Sequence, residues 1–294
     1  MKKILLFLVM FLPCVILASG ENTGEFMNIP QGARQVGMGS AFVGIADDVS
    51  CLYWNPAGIS SLEKKEILGA YTEWFADIGM GFFGYAQPLS KNNGFGISLI
   101  AMNTKGGEEA NDSTKTGGEL SVECRSLSFS YAQRLSQIAF GGSIKSVHQD
   151  YAGYRGSKLC LDIGSLVFLN PTISLGFSLN NLGSALEIDN VKNSLPFNIK
   201  TGLGYKMAEN VLFGFDFEKP NDSSLIFKLG TEYKLLPNID VRGGYNSLSG
   251  YSIGFGIRSR GRGVMKNVLA QIDYAYLYNP DLNHSHRVSL LIRF

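Results

Sequence analysis

The sequence predicts an all-β protein: an antiparallel transmembrane β-barrel of about 14 strands. Three observations carry that expectation. From about residue 66 onward, short segments alternate apolar with small or polar residues, and turn-forming residues separate them. The links between these segments alternate between tight and long. After an apolar leader, no run of about 18 apolar residues occurs, so no segment suits a transmembrane helix. A chain that meets lipid without such a helix must close its strands into a barrel, because only closure pairs every backbone group.

The leader itself reads as a secretory signal peptide over residues 1–20. Lys2 and Lys3 supply the charged start, Ile4 to Leu17 the apolar stretch, and Ala18, Ser19 and Gly20 the small residues for cleavage near Gly20. A lipoprotein reading would use Cys14, but Pro13 before it and the apolar residues after it argue against that. The net charge is +1, and no basic patch for nucleic acid stands out.

The alternation is clearest where Phe197, Ile199, Thr201, Leu203 and Tyr205 interleave with Asn198, Lys200, Gly202, Gly204 and Lys206. Period two puts each set on its own face of a strand. The same rule places strands near 66–75, 79–89, 94–104, 120–135, 137–149, 157–169, 172–180, 196–207, 211–218, 223–235, 239–246, 250–258, 265–278 and 285–294. Tight links fall at Ser90–Asn93, Ser136, Asn170–Pro171, Ala208–Asn210 and Leu236–Asn238, as periplasmic turns would. Lys105–Glu119, Asp150–Gly156, Asn181–Leu195 and Asn279–His284 read as long extracellular loops, and Ser259–Gly263 as the longest periplasmic link. An even strand number brings both barrel ends to the periplasmic side.

One face of the strands carries Phe, Leu, Ile, Val and Tyr, which suits lipid; the other carries Gly, Ser, Asn and charges, which suits a lumen. Lys145, Asp162, Lys200, Asp216, Lys228, Glu232, Asp240, Arg242, Asp273 and Arg293 fall on the polar face. Two readings are open for them: a path for a polar solute, or a mutually neutralising network that holds the barrel contents in place. Tyr274, Tyr276 and Tyr278 at strand spacing resemble an interfacial aromatic girdle, with core packing as the alternative. Val288, Leu290, Ile292 and Phe294 share one face of the last strand. An aromatic final residue there looks like the signal that barrel-assembly machinery reads.

Residues 25–65, within a segment taken as 21–65, do not alternate and are rich in small side chains, as a segment packed inside something else would be. Asn55-Pro56 favours a turn, with Pro56 at the first position of a short helix. Asp47 and Asp48 suit backbone capping or an ion pair with Arg34, with cation binding the alternative. The pattern Gly32-Ala33-Arg34, Gly37-Met38-Gly39, Ala46-Asp47-Asp48, Asn55-Pro56-Ala57-Gly58 resembles the N-terminal region of the FadL superfamily of outer-membrane transport proteins. Within it, the compact length and motif most resemble the PorV/PorQ family. The resemblance implies a barrel of about 14 strands with an N-terminal plug in its lumen. Asn55, Pro56 and Ala57 match the plug's Asn-Pro-Ala motif. FadL itself is longer, with larger loops that capture fatty acids. The shorter loops here put that substrate in doubt.

No catalytic constellation, cofactor motif or metal-ligand spacing appears. His284 and His286 share a face, as a metal pair could, yet they and His148 read as solvated residues near loop ends, with a His284–His286 metal site the alternative. Gly37 and Gly39 lack the lysine of a phosphate loop. Cys51, Cys124 and Cys160 read as free or buried thiols, with a Cys124–Cys160 disulfide possible. The expected residence is the outer membrane of a Gram-negative-type bacterium. The expected role is passive transport of hydrophobic or amphipathic small molecules, through an apolar pocket between plug and upper wall. The alternative is a PorV/PorQ-like component of a type IX-like protein secretion system. The expected partners are outer-membrane lipid, the assembly machinery, and a hydrophobic ligand or secretion-system proteins.

Overall fold

The computed structural model describes residues 23–74, 78–108, 119–189, 191–261, 266–279 and 283–294. The expected signal peptide, with Cys14, lies outside the described residues. The strands are β1 Glu66–Glu73, β2 Gly79–Ser90, β3 Asn93–Glu108, β4 Glu119–Leu135, β5 Ile138–Tyr151, β6 Tyr154–Asn170, β7 Ile173–Leu182, β8 Leu186–Ile188, β9 Val191–Asn193, β10 Asn198–Ala208, β11 Val211–Pro220, β12 Ile226–Leu236, β13 Ile239–Asn246, β14 Gly250–Arg260, β15 Leu269–Asn279 and β16 Asn283–Arg293. Fourteen of them form one closed antiparallel barrel in chain order, with β7 beside β10 and β16 beside β1. Closure runs in register from Glu66 opposite Arg293 to Glu73 opposite His286. An even number of strands lets the last run antiparallel to the first, so no edge is left open.

Alternation sets the two faces as the sequence predicts. On β10, Asn198, Lys200, Gly202 and Gly204 are buried inward, while Ile199, Thr201, Leu203 and Tyr205 face out. Around the outside, Phe129, Ile144 and Ile253 keep 54%, 58% and 64% of their surface exposed. A water-soluble fold would not leave so continuous an apolar wall uncovered; hydrocarbon covers it without cost. Tyr274, Tyr276 and Tyr278 belong to that outer face, as do Val288, Leu290, Ile292 and Phe294.

Two expected loops are different. The link at Asp150–Gly156 is not long: β5 and β6 continue to Tyr151 and from Tyr154, leaving a two-residue turn. Its residues, Ala152 and Gly153, have φ of 52° and 95°, the left-handed pair that matches hairpin twist. Asn181–Leu195 is not loop throughout, since β8 and β9 pair there as a small hairpin apart from the barrel. The tight turns at Ser90–Asn93, Ser136, Asn170–Pro171, Ala208–Asn210 and Leu236–Asn238 all lie at one end, beside Glu66 and Arg293.

Candidate functional site

The lumen is filled by residues 23–65, and the barrel wall is shaped to receive them. Thr23 begins near the long-loop end, where its amide donates to the Ser194 carbonyl at 2.9 Å and its hydroxyl to Gln149 at 2.7 Å. The helical turn Ala33–Gly37 packs Ala33 and Val36 on Ala275 and Leu277 of β15. From Gly37 to Gly44 the segment crosses the wall from strand to strand, β14 to β7. It passes Gly254, Gly244, Gly230, Gly214, Gly204 and Gly176, six inner-face positions where an added Cβ would meet the segment's own atoms. Gly204, Gly214, Gly230 and Gly244 stand directly opposite one another on β10, β11, β12 and β13. This row of absent side chains is the groove in which the segment lies. The turn Pro56–Ser61 then packs against β3, β4, β5 and β6 before the chain enters β1.

A backbone inside a barrel still needs hydrogen-bond partners. Inward side chains provide them. Asp216 Oδ2 accepts from the Phe42 and Val43 amides at 2.7 and 2.8 Å. Glu66 Oε2 accepts from the Val49 amide at 2.8 Å. Ser252 Oγ accepts from Gly39 N at 3.0 Å. Asn55 is fully buried; its amide nitrogen donates to the Val43 and Ser165 carbonyls at 3.0 Å. Its Oδ1 accepts from Ala57 N at 3.2 Å, which caps the short helix that Pro56 opens and Gly58 continues.

The charges form two groups. Toward the tight-turn end, Arg34 reaches Asp47 at 2.6 Å, Asp48 at 2.7 Å and Glu232 at 2.8 Å. Arg242 joins Glu232 at 2.6 Å to Asp273 at 2.8 Å, and Arg258 holds Asp240 at 2.7 Å. Arg293 pairs with Glu66 at 2.7 Å. Burial pushes the Asp48 carboxyl up, but the Arg34 charge and the Ser50 hydroxyl outweigh it and hold it below the usual aspartate range. Toward the long-loop end, Lys145 pairs with Asp162 at 2.8 Å. Lys228 bonds Glu218, and Lys200 lies 3.8 Å from the same carboxylate. Lys200 and Lys228 also stand over the ring of Trp54, at 5.6 and 5.5 Å.

All ten charges assigned to the lumen face inward; nine of them are in ion pairs, and Asp216 instead accepts from the Phe42 and Val43 amides. Arg34 with Asp47 and Asp48 is the ion pair expected. Sequence reasoning missed Glu66, Glu218 and Arg287, although alternation with Phe217 already placed Glu218 inside. Arg287 is the outlier: it is buried on the inner face of β16, and none of its three guanidinium nitrogens has a hydrogen-bond partner.

The expected apolar pocket beside the luminal segment is nearly closed. Met27, Leu52, Phe82 and Ile100 face Lys145, Asp162 and Lys200 across a hollow of about 10 Å³, room for one water molecule. A larger hollow of about 260 Å³ opens at the tight-turn end beside Arg34, Asp47 and Glu232. Among the described residues no group of three or more His, Cys, Asp or Glu side chains could hold a metal. On the outer face His284 stacks on Tyr276 and His286 meets the same ring edge-on, and His148 contacts Ser157 at 2.8 Å. Cys51, Cys124 and Cys160 are buried free thiols, so the Cys124–Cys160 disulfide does not form.

The profile of UPF0164, an uncharacterised protein family, matches residues 18–160. Two UPF0164 proteins of Treponema pallidum (strain Nichols) are each 24% identical, over 179 and 214 residues, which is 56% and 65% of this chain. The chain spans about half the length of these curated relatives, 45% and 50%. Among solved structures, the fold is similar to the toluene transporter TodX of Pseudomonas putida, with a TM-score of 0.62 at 13% identity, over 96% of this chain and 99% of that one. It is also similar to the monoaromatic hydrocarbon channel CymD, with a TM-score of 0.63 at 11% identity, over 89% and 96% of the two chains. A FadL homologue of Pseudomonas aeruginosa gives 0.61 at 10% identity, over 95% and 99%. The chain therefore shares the barrel fold of FadL-like outer-membrane channels.

Proposed function

We propose that this protein is an outer-membrane channel for passive passage of small hydrophobic or amphipathic molecules, with residues 21–65 as its plug. In this reading residues 1–20 are a cleaved signal peptide and residues 66–294 the barrel. The tight-turn end faces the periplasm and the long-loop end the exterior.

The observation that carries the reading is the pairing of a predominantly apolar outer wall with an inner segment held by side chains rather than by strand pairing. Such a segment can shift without opening the barrel. The hollow near Tyr53 supports an amphipathic cargo, because its lining joins an apolar side to lysines. At about 10 Å³ it admits no cargo until the segment moves. The structural neighbours named as hydrocarbon channels or transporters support the same class of solute.

The test is uptake by cells lacking the gene. Import of a radiolabelled long-chain fatty acid or of toluene is expected to slow, and a plasmid copy to restore it. Normal import of both would remove the transport reading. Normal import together with stable co-purification of large secretion proteins would favour the PorV/PorQ-like role instead.

A further inference from the structure

The overall charge of +1 hides a segregation of charge along the barrel axis. At the tight-turn end, Lys206, Lys234, Arg258, Arg260 and Arg293 lie on the inner face of their strands and surround the mouth of the lumen. Lys64, Lys91 and Lys266 add to them from the adjoining links. The carboxylates nearby are few. Asp240, Glu66 and Glu232 are buried and already hold Arg258, Arg293 and Arg34, and Asp47 is also held by Arg34. Glu63 and Glu209 remain. Among the described residues, Lys91, Lys206, Lys234, Arg260 and Lys266 have no ion pair. At the opposite end, the exposed cations Arg125, Arg155 and Lys192 each have one, to Glu123, Asp150 and Glu187.

We propose that this mouth is a docking surface for an acidic polypeptide segment of a periplasmic partner protein. The proposal rests on the reading of the tight-turn end as periplasmic. Lipid head groups fit less well, because these cations sit on the inner face, while Leu89, Leu135, Met207 and Leu235, each more than half exposed, point outward at this height. A single small anion does not fit either. The cations line three adjoining hollows of about 260, 470 and 590 Å³, from Lys91 in the β2–β3 turn to Lys266 before β15. About ten extended residues span some 35 Å, enough to reach across them. Exposed pairs are individually weak, so such a surface works by number, by steering and by orientation. An occupant would also cover Asp47, the half-exposed member of the Arg34 cluster.

The experiment uses the full chain in detergent micelles and a fluorescent twelve-residue peptide rich in Glu and Asp. Saturable one-to-one binding is expected, weakened about tenfold or more when salt rises from 0.05 to 0.5 M. The combined variant Lys91→Glu, Lys234→Glu, Arg260→Glu, Lys266→Glu should lose it. Lys158→Glu with Lys192→Glu, at the other end, should not. Heat-modifiable migration on gels confirms that each variant is a folded barrel. Equal binding by the mouth variant, equal binding of the Gln-for-Glu peptide, or full displacement by millimolar citrate would each overturn the proposal. Preferential binding to vesicles of anionic lipid would overturn it in favour of a head-group site. None of these outcomes bears on solute uptake, so the transport reading stands or falls separately.

Discussion

Arg34 of the luminal segment grips Glu232 of β12 through two bonds, Nε to Oε2 at 2.8 Å and Nη2 to Oε1 at 3.0 Å. The remaining guanidinium edge serves Asp47 and Asp48. One side chain thus fastens the segment to the wall and bridges three carboxylates, one of which, Glu232, Arg242 shares. Arg34→Ala would leave Asp48 and Glu232 buried with less compensation, which costs roughly 3–5 kcal/mol. We expect a lower urea midpoint and a rise in ion conductance across planar bilayers, where the native chain stays nearly silent. An unchanged midpoint and a silent variant would show that Arg34 is not what fastens the segment.

The same cluster should loosen in acid. Asp48 titrates below the ordinary aspartate range in the folded protein. Its contribution is therefore complete above the unfolded value and is lost as pH falls through the folded one. Protease access to the luminal segment should increase between neutral pH and about pH 3. Asp48→Asn should be looser at neutral pH and show a shallower acid response. A steeper response in the variant would assign the effect to another group.

The glycine row makes a sharper steric prediction. At Gly244 an added Cβ would collide with the backbone of Met38 and Gly39, whereas at its neighbour Gly243 it would meet nothing. Gly244→Ala should destabilise seating of the segment by about 1–3 kcal/mol, as overpacking does. Gly243→Ala, on the outer face, should be silent. Equal proteolysis of the two variants would mean the segment does not lie in that groove.

These two residues also show what could be read in advance. Alternation put Lys200 and Asp216 inside because period two has only two faces to offer. The Arg34–Asp48 pair was legible because both residues sit in one short segment. The alignment of Gly204, Gly214, Gly230 and Gly244 was not, since it depends on register between strands. The Glu218 partnership with Lys228 was hidden for the same reason. The cationic mouth escaped notice because its members are scattered from Lys64 to Arg293 and gather only when the turns do. The β8–β9 hairpin is three residues a side, too short for a periodic signal.

Depth in the bilayer can be tested on two outward phenylalanines. Phe255 stands at the middle of β14, whereas Phe213 is two residues from the tight-turn end of β11. An arginine costs roughly 2–4 kcal/mol at the bilayer midplane and about 0–1 near the interface. Phe255→Arg should therefore lower folding stability in lipid vesicles much more than Phe213→Arg. The reverse order would misplace the membrane along the barrel.

Arg287 predicts an effect of opposite sign from Arg34. The residue is 1% exposed, and its guanidinium lies 5.2 Å from the centre of the Trp74 ring and leaves Nε, Nη1 and Nη2 unbonded. The ring contact offsets part of the burial cost. It does not replace the hydrogen bonds that water would give, a deficit of about 1–3 kcal/mol or more for a charged group. Arg287→Met keeps most of the volume and removes the charge. Its urea midpoint in vesicles should therefore rise above that of the native chain, while Arg34→Ala falls. If Arg287→Met is instead the less stable protein, the guanidinium is satisfied in the membrane by an anion or water.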